Sequence, residues 1–154
     1  MGLAPTISSY LCDHQISYQV INHPPSNNAL DTAHSAQIEP SLLAKAVVME
    51  RSNGELVMIL ACGDKHIHLR ELNKRISPPL KFVSEAELSD YFQDCDTGAI
   101  PGFGDAYGIS TLVDADLLKA PEVYLEAGDH RELILLSRSQ FQYLMKNATI
   151  LEDL

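Results

Sequence analysis

The chain has 154 residues, 45% of them apolar and 21% charged, which is the composition of a soluble globular protein that can bury a core. Its net charge of −10 argues against broad contact with DNA or RNA, because such contact neutralises many backbone phosphates with Lys and Arg. The absence of a long apolar run or signal peptide, together with three cysteines too scattered for a zinc site or disulfide framework, predicts a protein of the reducing cytoplasm with no membrane partner.

The N-terminal half is predicted to alternate short helices with strands. Pro5 suits a first helical turn, and the apolar residues after it recur at helical spacing. The most apolar strand is LLAKAVVME, and the turn signal Ser52-Asn53-Gly54 makes the following strand its hairpin partner. The predicted elements are a helix over 5–14, a strand over 18–21, a break over 23–28, a helix over 29–36, and strands over 42–50 and 56–61.

The C-terminal half continues the mixture without regular βαβ alternation. Residues 65–69 are predicted to form a strand or the entry to a helix, and Ser84, Asp114 and Ser137 are predicted helix caps. The pattern favours one α+β domain over 1–154, with a mixed, largely antiparallel sheet that is curled or closed towards a barrel and flanked by helices. The other predicted elements are a helix over 69–76, strands over 82–83, 111–114, 122–126 and 132–136, and helices after the three caps, the last ending at 145.

Residues 94–108, DCDTGAIPGFGDAYG, hold four of the eight glycines and form what we call the glycine stretch. So many glycines oppose regular structure but let a backbone pass close to a ligand. The stretch is not a Walker loop, and its GxGxxxG spacing misses the dinucleotide fingerprint. Two interpretations stay open, a ligand-facing loop and a surface connection without a role. If Gly102 or Gly104 adopts positive φ or lies against a substrate, an added Cβ should obstruct it.

Lys45 stands in the middle of the apolar strand. Alternation along a strand places it on the same face as Leu43 and Val47. A lysine in this setting either extends its amine past the sheet into water or points into a cleft where an anionic ligand holds it.

No metal site, cofactor site or activated nucleophile is predicted. His66 and His68 share a strand face at most, and a metal needs three or four ligands. No HExxH or GxSxG motif is present. Cys95 lies between Asp94 and Asp96, which should raise the pKa of its thiol rather than activate it.

Five short motifs in a fixed order resemble the YbaK/prolyl-tRNA-synthetase-associated domain family. They cover most of the chain, from about residue 16 to 148. In order they are His23-Pro24, Ala44-Lys45-Ala46-Val47-Val48, Gly98-Ala99-Ile100-Pro101-Gly102-Phe103-Gly104, Leu112-Val113-Asp114 and Glu126-Ala127-Gly128-Asp129-His130.

The resemblance implies a free-standing aminoacyl-tRNA deacylase that cleaves the ester of a mischarged tRNA in trans, without metal or covalent nucleophile. Lys45 would match the family lysine that holds the tRNA 3′ end, and 98–104 the glycine-containing loop whose backbone lies against the substrate carbonyl. An aminoacyl-tRNA synthetase is a further implied partner, which would help an acidic protein reach tRNA. The residues expected in catalysis are Lys45, Gly98 and Gly102, and those expected in substrate binding are His23, Ala46, Ile100, Pro101, Phe103, Gly104, Gly128 and His130.

Two departures from the family pattern keep a second hypothesis open. The family proline falls four residues after the first loop glycine, where this chain has Gly102, and Pro101 comes one residue earlier. Ala46 follows the lysine where alanine-specific members have Asn, so alanine specificity is not carried over. The alternative is a binding or regulatory module that keeps the pocket but has lost turnover.

Overall fold

The computed structural model describes residues 2–26 and 28–154, so Asn27 of the predicted break lies outside it. Two 3₁₀ turns, Pro40–Leu42 and Gly104–Tyr107, accompany the regular elements. In chain order these are α1 (Pro5–Asp13), β1 (Gln19–Asn22), α2 (Ala29–Ala36), β2 (Leu43–Arg51), β3 (Leu56–Cys62), α3 (Leu69–Asn73), β4 (Leu80–Phe82), α4 (Glu85–Tyr91), β5 (Ser110–Asp114), α5 (Ala115–Lys119), β6 (Glu122–Glu126), β7 (Glu132–Ser137), α6 (Arg138–Leu144) and β8 (Thr149–Leu151).

The eight strands form one mixed sheet in the order β1-β7-β6-β2-β3-β5-β8, with β4 paired to β2. The β1/β7, β6/β7, β2/β3 and β2/β4 pairs are antiparallel, and the β2/β6, β3/β5 and β5/β8 pairs are parallel. The α+β class and the mixed sheet are therefore confirmed. The sheet is open and is not closed into a barrel, because β1 and β8 are the two ends of the pairing path and do not pair with each other.

The predicted helix caps are confirmed at the level of individual hydrogen bonds. The side chain of Ser84 accepts from the N–H of Glu87 at 3.3 Å, and Ser137 accepts from Gln140 at the same distance. Asp114 accepts from the N–H of Asp116 at 3.0 Å. Each cap satisfies a donor that the first helical turn would otherwise leave without a partner.

Two local predictions are wrong. Of the two alternatives for residues 65–69 the strand is wrong: residues 65–68 pair with no strand and lead into α3, whose N-cap is His68. The predicted helix over 69–76 ends at Asn73. The sequence also failed to indicate β8, a three-residue strand that exists through its parallel pairing with β5.

The core lies on both faces of the sheet, and the alternation predicted for β2 is confirmed by its packing. Ala44 and Val48 pack in the larger core with Phe103 and Phe141. Met49 packs on the opposite face in a second cluster. A third cluster places α2 over the sheet, with Ala33 of that helix against Leu43 and Leu133, and Tyr124 beside them.

The N-terminal segment is hydrogen-bonded to two loops far away in sequence. The N–H of Thr6 donates to the carboxylate of Asp94 at 2.8 Å, and Tyr107 donates to the same carboxylate at 2.9 Å. The N–H of Ala4 donates to the carbonyl of Ala127 at 2.8 Å. We call this set of contacts the N-terminal clamp. None of the helices in the described part of the chain combines the length and the apolar character needed to cross a membrane.

Candidate functional site

A cleft of about 70 Å³ lies where α2, the start of β2, the end of β6 and the glycine stretch meet. The parallel register of β2 and β6 pairs Ala44 with Leu125. Lys45 and Glu126 are the next residues along the two strands, so their side chains point to the same face of the sheet. The cleft is lined by Asn28, Ala29, Thr32, Leu43, Ala44, Lys45, Ala46, Gly98, Ile100, Glu126 and His130.

Lys45 is half-buried in this cleft, and its amine donates to the backbone carbonyl of Lys65. Burial lowers the pKa of its ammonium, and the nearby Asp64 carboxylate partly opposes that shift. Desolvation disfavours a charge that has no opposite charge beside it. A partly desolvated cation at the rim of a cleft can bind a phosphate or another anionic group as a point charge.

Gly98 brings the glycine stretch to the cleft. Its φ of +82° is in the left-handed region, which a glycine adopts without steric cost. His130 fixes this segment, because its Nε2 donates to the carbonyl of Thr97 at 2.7 Å. Among the described residues the N–H of Ala99 donates to Asp96, whereas the N–H groups of Gly98 and Ile100 have no acceptor. Such unused backbone donors can stabilise a developing oxyanion.

The second half of the glycine stretch is buried and does not line the cleft. Pro101, Gly102, Phe103 and Gly104 are all buried, and Phe103 is among the largest fully buried side chains. A Cβ on Gly102 would lie 2.7 Å from the side chain of Leu125. Neither Gly102 nor Gly104 has positive φ. The glycines at these two positions permit close packing against the sheet.

Two further predicted residues, His23 and Gly128, do not line the cleft. His23 is buried, with its Nδ1 donating to the carbonyl of Pro24 at 2.7 Å. Gly128 has a φ of +104°, and a Cβ there would approach Ala4 to 2.8 Å. Of the predicted site residues the structure therefore gathers Lys45, Ala46, Gly98, Ile100 and His130, and it places the others in the surrounding framework.

Glu126 also lines the cleft, although its sequence position gave it no role in the site. Its Oε2 is buried without a hydrogen-bond partner in the described part of the chain. Burial raises the pKa of its carboxyl to about 8, with a smaller contribution from the Asp129 carboxylate. Alternation along β6 puts Glu126 on the face of Tyr124, but only the register with β2 shows that this face leads to Lys45.

The pKa of the Cys95 thiol is raised, which is the direction predicted from its acidic neighbours. Burial is the largest cause that raises its pKa to about 12, and the Asp94 and Asp96 carboxylates add to it. Its Sγ lies 3.3 Å from the hydroxyl of Tyr107. A second cleft of about 90 Å³ lies between α4 and this part of the chain, and it shares Gly98 and Ile100 with the first.

The chain is similar to known proteins in sequence pattern and in fold. The model of the aminoacyl-tRNA editing domain matches residues 23–144, more than half of the chain. No curated protein matches the chain in sequence. Three solved structures share the fold at 19% identity. A candidate trans-editing enzyme for prolyl tRNA synthetase has a TM-score of 0.79, with 97% of this chain and 94% of that chain covered.

The second is a scaffold used in computational grafting of linear epitopes, with a TM-score of 0.81 and the same shares of the two chains covered, 97% and 94%. The third is a candidate signal transduction protein from Marinobacter aquaeolei VT8, with a TM-score of 0.75. Here 96% of this chain is covered but only 30% of the other, so the fold forms one part of a longer protein. At this identity the three likenesses show the fold alone.

Proposed function

The chain belongs to the aminoacyl-tRNA editing domain family, and on that basis we propose that it is an aminoacyl-tRNA deacylase that hydrolyses mischarged tRNA in trans. In this reaction water adds to the ester carbonyl carbon and the bond to the ribose oxygen breaks. The products are a free amino acid and a tRNA with an intact 3′ hydroxyl. The chemistry requires charge stabilisation and positioning more than a strong nucleophile.

The observation that carries the proposal is the convergence of Lys45, Gly98 and His130 on one cleft from three separate parts of the chain. Lys45 supplies a positive charge for the 3′-terminal nucleotide. The N–H groups of Gly98 and Ile100 face the developing oxyanion. His130 holds the Thr97 carbonyl and so keeps the Gly98 backbone in position.

The size of the cleft determines which esters can react. The cleft is narrow, and the apolar side chains of Ala29, Leu43 and Ile100 that line it favour a small acyl group over a bulky one. The acyl group would lie between Ile100 and the wall formed by Ala29, Leu43 and Ala44. We infer that the substrates are tRNAs charged with small amino acids, while the tRNA itself is contacted mainly at its 3′ end.

The test is single-turnover deacylation of a panel of mischarged tRNAs by the purified protein. The panel carries glycine, alanine, serine, valine and phenylalanine on the same tRNA, and the uncatalysed hydrolysis of each ester is subtracted. We expect hydrolysis of one or more of the small esters and none of the phenylalanyl ester. Absence of hydrolysis across the panel would contradict the deacylase function.

A binding or regulatory module is the second candidate, and the contact of Lys45 favours it. The amine already donates to the carbonyl of Lys65, so a ligand has to compete with this contact. An inactive module would bind uncharged and charged tRNA ends without releasing the amino acid. Measured binding of the panel with no release above the uncatalysed rate would favour this candidate over the enzyme.

A further inference from the structure

Glu126 lines the cleft proposed to hold the acyl group, and one of its carboxyl oxygens is buried without a hydrogen-bond partner in the described part of the chain. The Oε2 atom is shielded from solvent, and no donor in the described part of the chain reaches it. Burial of a polar atom without a hydrogen bond costs free energy, and the cost is larger for a charge. A group of this kind in a binding cleft indicates a ligand that supplies the missing donor.

The polar side chains around Glu126 do not supply that donor. Lys45 is its neighbour across the β2/β6 ladder, but the Lys45 amine donates to the carbonyl of Lys65. His130 donates to the carbonyl of Thr97. Asp129 also lies near it, and its carboxylate repels a second negative charge. The cleft therefore offers an acceptor at Glu126 that its own side chains leave unused.

We propose that Glu126 binds the α-ammonium group of the esterified amino acid, an inference that rests on the proposed deacylase function. Among the groups of an aminoacyl ester, the ammonium is a donor that every common α-amino acid other than proline carries in the same primary form, close to the carbonyl carbon. Side-chain donors occur only in some amino acids. The Glu126 carboxyl is a fixed acceptor in the cleft, and the α-ammonium is the donor that almost every aminoacyl ester offers to it.

The charge of the ammonium also suits this environment. Burial favours the neutral form of the Glu126 carboxyl, and an arriving cation favours the charged form. The pair then forms at an oxygen that is shielded from solvent, where charge-assisted hydrogen bonds are stronger than at the surface. Ala29, Leu43 and Ala44 supply the apolar part of the same wall, which fits a small side chain next to the ammonium.

The experiment compares two esters on the same tRNA at pH 7. One is the best aminoacyl substrate of the panel, and the other is the same ester after conversion of its α-amino group to a hydroxyl. Each is tested with wild type, Glu126→Gln and Glu122→Gln, and uncatalysed rates are subtracted. Glu122→Gln is the matched control, because it makes the same change on β6 at the end far from the cleft.

We expect wild type and Glu122→Gln to hydrolyse the aminoacyl ester roughly 30-fold faster than the hydroxyacyl ester, as loss of one partner of a buried charge pair predicts. In Glu126→Gln this ratio should fall below about 3, mainly through slower hydrolysis of the aminoacyl ester. An unchanged ratio in a folded Glu126→Gln protein overturns the inference and leaves the deacylase function standing. Hydrolysis of neither ester by wild type removes the deacylase function and this inference together.

A second variant covers the case in which Glu126→Gln does not fold. Glu126→Ala removes the carboxylate and its bulk, and it is expected to lower the ratio in the same way. Because a general loss of structure slows both esters alike, the ratio reports contact with the amino group rather than stability. A ratio in Glu126→Ala equal to that of wild type overturns the inference.

Discussion

Lys45 shows how much a local pattern reveals about one residue. Its place among apolar neighbours in β2 could be recognised without any structure, and the structure puts its amine half-buried beside the cleft. The acceptor of that amine could not be recognised, because Lys65 lies 20 residues further along the chain in a segment without regular structure. Local alternation determines the face of a side chain, whereas its partner depends on tertiary packing.

The first prediction concerns Lys45→Ala. Loss of the positive charge should slow single-turnover deacylation by about 30- to 1000-fold, which corresponds to about 2–4 kcal/mol of transition-state stabilisation. The melting temperature should stay the same or rise, because a partly desolvated charge is removed. Lys45→Arg should not restore full activity, since a planar guanidinium does not replace a compact ammonium.

The matched control is Lys81→Ala, which removes an exposed lysine of β4 that lies 3.8 Å from Glu50. It should keep the wild-type rate. Wild-type rates in a folded Lys45→Ala protein would remove Lys45 from the site.

The second prediction follows from the raised pKa of Glu126. The folded protein keeps the Glu126 proton up to a pH of about 8, whereas the unfolded chain loses it near the ordinary pKa of 4.5. Between these values the unfolded state binds fewer protons, so this group makes stability fall as the pH rises from 4.5 to 8. Asp129 strengthens the effect, while Lys45 and His130 are the other titratable groups that line the cleft.

Glu126→Gln should therefore melt at a higher temperature than wild type at pH 8.5, and at the same temperature at pH 4. One unit of pKa shift corresponds to about 1.4 kcal/mol, and 1 kcal/mol changes the melting temperature of a protein of this size by about 2–4 °C. We therefore expect Glu126→Gln to melt at least about 3 °C above wild type at pH 8.5. Thermal melts across this pH range measure it, with Glu122→Gln as the control for loss of one negative charge. A gain that does not grow with pH would contradict the prediction.

At the scale of elements, the sequence predicted those that depend on local signals and missed those that depend on pairing. The hairpin of β2 and β3 follows from a turn signal, the helices after Ser84, Asp114 and Ser137 follow from their caps, and the structure has them. The strand β8 has three residues and forms on β5, so no local pattern could reveal it. The glycine stretch combines both cases, since Gly98 faces the cleft and Gly102 lies in the core.

The third prediction concerns Gly104→Ala and differs from the expectation raised by the sequence alone. A Cβ at this position would lie 2.7 Å from the carbonyl oxygen of Ile109 and would press on the side chain of Thr111. Overpacking of this kind costs about 1–3 kcal/mol, so we expect the melting temperature to fall by about 3–10 °C. Thermal melts measure it.

Gly54→Ala is the control for this substitution. Gly54 has a φ of +88° and nothing within 4 Å of an added Cβ, so it reports the conformational cost alone. This cost is about 1 kcal/mol, and the fall in melting temperature should be smaller than for Gly104→Ala. A Gly104→Ala protein that melts like wild type would contradict the packing argument.

At the scale of the whole molecule, the net charge of −10 limits how much of a tRNA the protein can contact. The fourth prediction is a weak salt dependence of kcat/KM. Contact with one or two phosphates of a single strand gives a slope of about −0.7 to −1.4 when log kcat/KM is plotted against log salt. Lys45→Ala should make this slope less negative by about 0.7, because one phosphate contact is lost. A slope steeper than about −4 would indicate contact along the acceptor stem.

The fifth prediction is full activity after exhaustive chelation. Residues 2–26 and 28–154 contain no group of three His, Cys, Asp or Glu side chains placed to hold a metal ion. Deacylation should therefore keep its rate after dialysis against EDTA, in buffers freed of metal. Loss of hydrolysis on chelation, restored by added zinc, would contradict the mechanism proposed for the cleft.

The N-terminal clamp has a consequence for where a working fragment can begin. The match to the editing domain starts at residue 23, but Ala4 and Thr6 hold the loops that contain Ala127 and Asp94. Ala127 directly follows Glu126, and Asp94 begins the glycine stretch. A fragment trimmed to residues 23–144 would retain every recognised motif but lose the two backbone donors of the N-terminal clamp, so that only direct contacts such as Asp96 N–H to the carbonyl of Gly128 would still join the two loops. Expression boundaries and fusion tags for kinetic work should therefore leave residues 2–6 in place.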